Sequence, residues 1–191
     1  MSEISRYPVP ELASLPEDLH KRVTAISDKT GFVPNVFLAL AHRPEELRAF
    51  MDYHEAVMER PSGLSKSEKE MIVVATSAAR GCTYCVVAHG AILRVRSKDP
   101  LIADLVATNY RQAPVTPRQK VMLDYAVKLS TTPEEVGPAD LEALRLAGFD
   151  DEDIWDIAAV VALFALSNRM AHALALVPNE QFHLMGRLPR P

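Results

Sequence analysis

Apolar residues along this chain recur at intervals of three and four. Leu19, Val23 and Ile26 share one face, and Leu47, Phe50, Met51, His54, Val57 and Met58 trace another. Leu101, Leu105 and Thr108, and then Val121, Tyr125 and Leu129, repeat the pattern. A helix completes a turn in 3.6 residues, so steps of three and four return a side chain to the same face. Sustained alternation of period two and Asn-Gly hairpin turns, the marks of strands, do not occur. The pattern predicts an all-α, multi-helix bundle with helices near 16–30, 34–42, 44–59, 65–79, 82–95, 100–108, 117–131, 138–147 and 150–177. Pro16, Pro34, Pro44, Pro100, Pro117 and Pro138 stand at the head of such runs, where a missing N–H costs nothing. Ser65 with Glu68 and Thr116 with Gln119 have capping-box spacing. Gly31 and Gly148 follow periodic runs as stops.

The longest apolar run, Ile157 to Leu166, is about half of what a bilayer requires and reads as a buried helix. Phe32, Phe37, Phe50 and Trp155 read as core aromatics. Met1 to Pro8 carries neither a basic n-region nor an apolar run, so no signal peptide is expected and a reducing cytoplasm is the expected compartment. The chain has 191 residues, 48% of them hydrophobic and 24% charged, which suits one globular domain over 1–191 with residues 1–12 as a tail. Its net charge of −4 forms no basic stripe, which argues against a nucleic-acid partner. Short amphipathic helices beside the Ile157–Leu166 run present more apolar surface than one small bundle hides, so a homo-oligomer is expected.

Chemistry enters with the two cysteines, Cys82 and Cys85, three residues apart. A disulfide across so small a loop adds little stability, so the pair points to redox chemistry or metal binding. Arg80-Gly81 interrupts the helical pattern, and a new helix is expected to begin near Cys82. On it Cys82, Cys85 and His89 share a face, since their spacings are three, four and seven. An imidazole beside a thiol favours the thiolate. Glu70 lies on the preceding helix, within reach if the two helices pack together. The site core therefore spans 64–96, with Tyr84 as a possible lining residue. Other readings of the pair remain open. The cysteines serve as buried small hydrophobes, or they bind zinc with His89 and a fourth ligand from His54 or His172. Haem attachment is excluded because Val86 follows Cys85. No nucleotide or flavin motif is present, and no cofactor is expected.

Glu70, eleven intervening residues, Cys82-x-x-Cys85, three more and His89 form a string that resembles the site motif of the alkylhydroperoxidase D-like family, within the carboxymuconolactone decarboxylase superfamily. Gly31-Phe32-Val33-Pro34-Asn35-Val36-Phe37 and Ser167-Asn168-Arg169-Met170-Ala171-His172 are similar to segments of its peroxidase-related branch. The resemblance runs from Leu12 to Leu184. It implies an all-helical homo-oligomer that reduces a hydroperoxide and is recharged by a dithiol or thioredoxin-like reductant. In that scheme Cys85 attacks, Cys82 resolves, and Glu70 and His89 relay protons. One position departs, because peroxidase members carry His between the cysteines where this chain has Tyr84, whose phenol titrates far higher. Two effects compete for the attacking sulfur. The helix N-terminus favours Cys82 by about 0.3–1 kcal/mol. A close imidazole favours Cys85 by up to several pKa units, so Cys85 is the expected nucleophile and Cys82 the resolving thiol. The alternatives are an acid–base decarboxylase or isomerase using His89 and Glu70, and a non-enzymatic helical oligomer with a redox-sensing or zinc-binding CxxC.

Overall fold

In the computed structural model, which describes residues 4–187, ten α-helices follow in chain order. They are α1 (Glu17–Thr30), α2 (Asn35–Leu40), α3 (Pro44–Met58), α4 (Lys66–Ala79), α5 (Thr83–Ser97), α6 (Ile102–Asn109), α7 (Pro117–Thr131), α8 (Pro138–Leu146), α9 (Asp151–Leu174) and α10 (Gln181–Leu184). Short 3-10 turns at Leu12–Ser14 and Pro133–Glu135 join them, and the described residues hold no strand beyond an isolated bridge at Ser5. The fold is all-α. Both capping boxes form, Ser65 with Glu68 and Thr116 with Gln119. Pro44, Pro117 and Pro138 occupy the first helical turn, whereas Pro16 and Pro34 sit one step earlier as caps. α9 stops short of 177 because Ala175 turns left-handed and returns its N–H to the last carbonyls. α10 and the two 3-10 turns are too short to show a period, and the pattern did not foretell them.

α4 is the centre of the bundle and packs against α5, α6, α7 and α9. It is buried without interruption from Glu68 to Ser77, the expected state of a helix enclosed on every side. Ile72, Val73 and Val74 are fully buried, each contributing about 1.5–3 kcal/mol by leaving water. The charged groups that enter the core find partners. Lys69 donates to the carbonyls of Val57 and Arg60, closing the end of α3. Glu68 meets Arg118 at 2.9 Å.

α9 is long and apolar enough, by length and composition, to cross a bilayer, but 44% of its most apolar stretch is buried within the bundle. Ile154, Ile157, Val161, Phe164, Asn168 and Ala171 form its inner stripe at steps of three and four. Trp155 falls one residue off that stripe and is 71% exposed, which corrects its reading as core. Within the 1–12 segment, Arg6 N donates to Leu174 O at 2.8 Å and Val177 N to Ile4 O at 3.2 Å. Residues 1–3 lie outside the described residues. These bonds hold the N-terminal segment against the end of α9. There a second, smaller core collects Phe32, Tyr84, Leu174 and Phe182 around the two cysteines.

Candidate active site

The chain leaves α4 through Arg80-Gly81, where Gly81 adopts φ +68°, a conformation that glycine takes without a Cβ penalty. That turn lays α5 back along α4 and puts Cys82 at the N-cap of α5. Cys82 N donates to Ser77 O at 2.9 Å. Its Sγ accepts the backbone N–H of Cys85 at 3.4 Å, in the place usually held by a capping oxygen. A sulfur there gains from the positive end of the helix when it is ionised.

Both thiols are free and only 1% exposed. The Cys85 thiol hydrogen-bonds to Cys82, and this is the main reason the Cys82 pKa falls to about 7. The Cys85 N–H and the charges of His172 and His89 assist, while burial opposes. The same hydrogen bond, with burial, pushes Cys85 far up. The shared bond therefore favours the anion on Cys82 over Cys85. The physical reason is local. His89 turns Nδ1 to Glu70 at 2.8 Å, and among the described residues it makes no hydrogen bond to either sulfur.

Glu70 is 2% exposed and engaged on both oxygens: Oε2 with His89, and Oε1 with Arg96 at 3.3 Å. Arg96 in turn meets Glu59 at 2.8 Å. A carboxylate on Nδ1 orients the imidazole and balances its charge when protonated, leaving Nε2 to give or take a proton. The His89 ring stands edge-on to Phe164, centroids 4.6 Å apart, with His54 beyond at 6.4 Å. Burial, then the facing His89, hold the His54 pKa down to about 4, so His54 is a neutral wall.

Two recesses flank the thiols. On the Cys85 side, Tyr84, Ser167, Met170 and Leu174 line an apolar slot with room for about 10 Å³, roughly one water. Cys85 Sγ lies 3.9 Å from Ser167 Oγ. The Tyr84 hydroxyl accepts from Val36 N at 3.1 Å, and burial pushes its pKa up, so it acts as wall and anchor rather than acid. On the Cys82 side, Arg80, Ser130, Asn168, Arg169 and His172 line a polar cleft of about 110 Å³. Asn168 Oδ1 accepts from Ser77 Oγ at 2.9 Å, and His172 Nε2 lies 3.2 Å from Arg80 O. His54 packs near His89 and Phe164 whereas His172 lines the polar cleft, and the described residues hold no group of three or more His, Cys, Asp or Glu arranged for a metal ion. The sequence reading passed over Arg96, Ser77 and Ser167 as contributors. Arg96 carried a signal, lying seven residues beyond His89 on one face. Ser77, inside an apolar run, carried none.

An all-helical bundle with a dithiol at a helix start, backed by a buried His–Glu pair, defines a helical dithiol protein. The sequence pattern of the carboxymuconolactone decarboxylase family matches residues 44–110, from α3 through the thiols to the end of α6. An alkylhydroperoxidase D core, an uncharacterized peroxidase-related protein from Ralstonia eutropha JMP134, is 60% identical over the whole of both chains, with a TM-score of 0.97. A peroxidase-related protein from Silicibacter sp. TM1040 is 43% identical over 97% of each chain, with a TM-score of 0.92. The debrominase Bmp8 in complex with 2,3,4-tribromopyrrole shares the fold at 18% identity, covering 97% of this chain and 96% of its own, with a TM-score of 0.76. No functionally curated protein matches the chain in sequence. The chain belongs to the carboxymuconolactone decarboxylase family, in the group of alkylhydroperoxidase D-core, peroxidase-related proteins.

Proposed function

We propose that this protein reduces hydroperoxides through a Cys82/Cys85 dithiol–disulfide cycle. The observation that carries the reading is the pair of buried, free thiols at the start of α5, on the helix that also carries His89 with its Glu70 partner. Cys85 is the attacking sulfur because its Sγ lies 3.9 Å from Ser167 Oγ, and Ser167 lines the apolar slot. Its proton passes along the shared hydrogen bond to the Cys82 thiolate. The Cys85 sulfur then attacks the outer oxygen of the peroxide and the O–O bond breaks. The sulfur becomes a sulfenic acid, and the departing alkoxide takes a proton from protonated His89, whose charge Glu70 balances. Cys82 passes its proton to His89 and attacks the Cys85 sulfur. Hydroxide leaves, is protonated to water, and a disulfide forms. A thiol reductant restores the dithiol by exchange, which suits a reducing cytoplasm. Exposed Trp155 and Leu166 on α9 support a homo-oligomer that covers them. An acid–base decarboxylase reading employs His89 and Glu70 but leaves the shared thiol proton without a task.

The test is peroxide consumption driven by a panel of dithiols, with Cys85→Ser as control. Turnover that Cys85→Ser lowers by about 10³-fold is expected. Turnover that survives the substitution sinks the reading.

A further inference from the structure

The cleft at the Arg80-Gly81 turn, just before Cys82, gathers basic side chains without an acidic one. Arg48, Arg60, Arg118 and Arg187 each meet a carboxylate. Arg80 and Arg169 meet none among the described residues, although acidic side chains outnumber basic ones in the chain, 25 to 21. Both line the same cleft as His172, and no Asp or Glu joins them there. At its buried wall Asn168, 3% exposed, turns Oδ1 to Ser77 and leaves Nδ2 without a hydrogen-bond partner. A buried donor without a partner is uncommon, and here it lines the same cleft as Arg80 and as Arg169, which donates to Ala165 O at 2.7 Å but meets no carboxylate. Ser77 ties this wall to the thiols, since its carbonyl accepts the Cys82 N–H at 2.9 Å. The approach over Gly81 is open, with nothing within 4 Å of where a Cβ would stand.

We infer that this cleft, lined by Arg80, Arg169, His172 and Asn168, is the docking site of the reductant, a small thiol bearing a carboxylate. The inference rests on the dithiol reading above. The carboxylate lies between the two guanidinium groups, which match it by charge and by hydrogen-bond geometry. The thiolate of the same molecule attacks Cys82 Sγ in the disulfide. The Cys82–Cys85 bond breaks, and Cys85 leaves with the electron pair and takes up the proton the incoming thiol lost. A second thiolate attacks the reductant's sulfur, releases Cys82 as thiolate and completes a small disulfide. Two thiols are oxidised and one protein disulfide is reduced. Oxidant and reductant thereby meet opposite sides of the dithiol.

The experiment measures reduction of the full-length protein's disulfide, formed beforehand with diamide so that no peroxide step is involved. The probes are 3-mercaptopropionate, 2-mercaptoethanol and cysteamine, with rates divided by thiolate concentration. The anionic thiol is expected to react about tenfold faster than the cationic one, with the neutral probe between. Molar salt and the Arg80→Gln/Arg169→Gln double variant both bring the ratio to about one, whereas Arg80→Lys/Arg169→Lys keeps most of it. Equal rates for the three thiols in the parent protein, or a preference that persists in the Gln double variant, overturn the inference while leaving the dithiol cycle intact. A disulfide that diamide cannot form overturns both.

Discussion

Two regions built from one stretch of α9 treat the same dithiol in opposite ways. Leu166, Ser167, Met170 and Leu174 line an apolar slot that connects to Cys85 through Ser167, whereas Ala165, Asn168, Arg169 and His172 line a basic cleft that connects to Cys82 through Ser77. The residues interleave in sequence because a helix turns by about 100° per residue, so neighbours one step apart face different sides. The Cys85 thiol is raised first by its hydrogen bond to Cys82 and then by burial. The Cys82 thiol falls to about 7, first through that same bond, with the Cys85 N–H at the helix start and nearby His172 and His89 assisting. Two cysteines of equal chemistry are thus split mainly by the bond between them, and their surroundings add to the split.

The sharpest way to break this comparison is to remove one sulfur at a time. In Cys82→Ser, one equivalent of peroxide should leave a sulfenic acid on Cys85 that a dimedone-type probe traps. In Cys85→Ser, the remaining Cys82 should react with peroxide about 10³-fold more slowly, although iodoacetamide alkylates it with a midpoint near pH 7 or above. If mass spectrometry finds the adduct on Cys82 and none on Cys85, acidity rather than access to the slot decides which sulfur attacks.

The apolar side also predicts a pH effect on stability. His54 is held at a pKa of about 4 by burial first and by His89 second, with Glu70 and Glu59 pulling upward and Arg96 downward. Its folded pKa lies below the unfolded value of about 6.5, so the unfolded chain binds the extra proton between those pH values. Folding stability therefore falls as pH drops from about 6.5 to 4, by up to about 3 kcal/mol, and this contribution is absent above pH 6.5. His54→Phe keeps the ring contacts and should flatten that part of a urea-denaturation profile. An unchanged acid limb would mean another group controls it.

Arg96 tests the support beneath both sides. Its guanidinium holds Glu70 from one oxygen while His89 holds the other. Arg96→Gln frees the buried carboxylate, and peroxide turnover should fall about tenfold with a displaced pH profile. Arg96→Lys should recover part of both. A loss of rate with no displacement of the profile would leave Arg96 a packing residue only.

How much of this was legible in the sequence follows from what kind of signal each part leaves. Helix existence was legible, because α3, α4 and α7 are long enough to show a period and begin with caps or proline. Cys82, Cys85 and His89 were legible as neighbours, because their spacing puts them on one face of a helix, whereas Glu70 was drawn in by the resemblance. Their electrostatics were not. Whether His89 turns to a thiol or to Glu70 depends on how α4 packs on α5, and no local pattern reports that. Trp155 was misread for a related reason, since an aromatic one step off the inner stripe looks like core until the stripe's phase is known. The division of Ser167 to His172 between two recesses was present in helical phase, but it acquires meaning only once Cys85 and Cys82 are known to lie on different sides.

The smallest expected effect concerns the width of the apolar slot. With room for about 10 Å³, it admits a group little larger than water, so a hydroperoxide with a bulky alkyl arm must move a wall side chain to reach Cys85. Met170 is the wall residue best suited to move, being half-buried, unbranched and polarizable. Shortening it in Met170→Ala removes the obstruction without touching the thiols, His89 or Glu70. The kcat/KM for cumene hydroperoxide relative to hydrogen peroxide should then rise about three- to tenfold, the range in which hydrophobic pocket contacts discriminate. The hydrogen peroxide rate itself should stay nearly constant, because that substrate fits the slot as it stands. Met170→Leu, which keeps volume but branches earlier, should leave the ratio near the parent value. If Met170→Ala lowers both rates equally, the slot serves packing around Cys85 rather than passage to it, and the contrast between an oxidant side and a reductant side loses its first half.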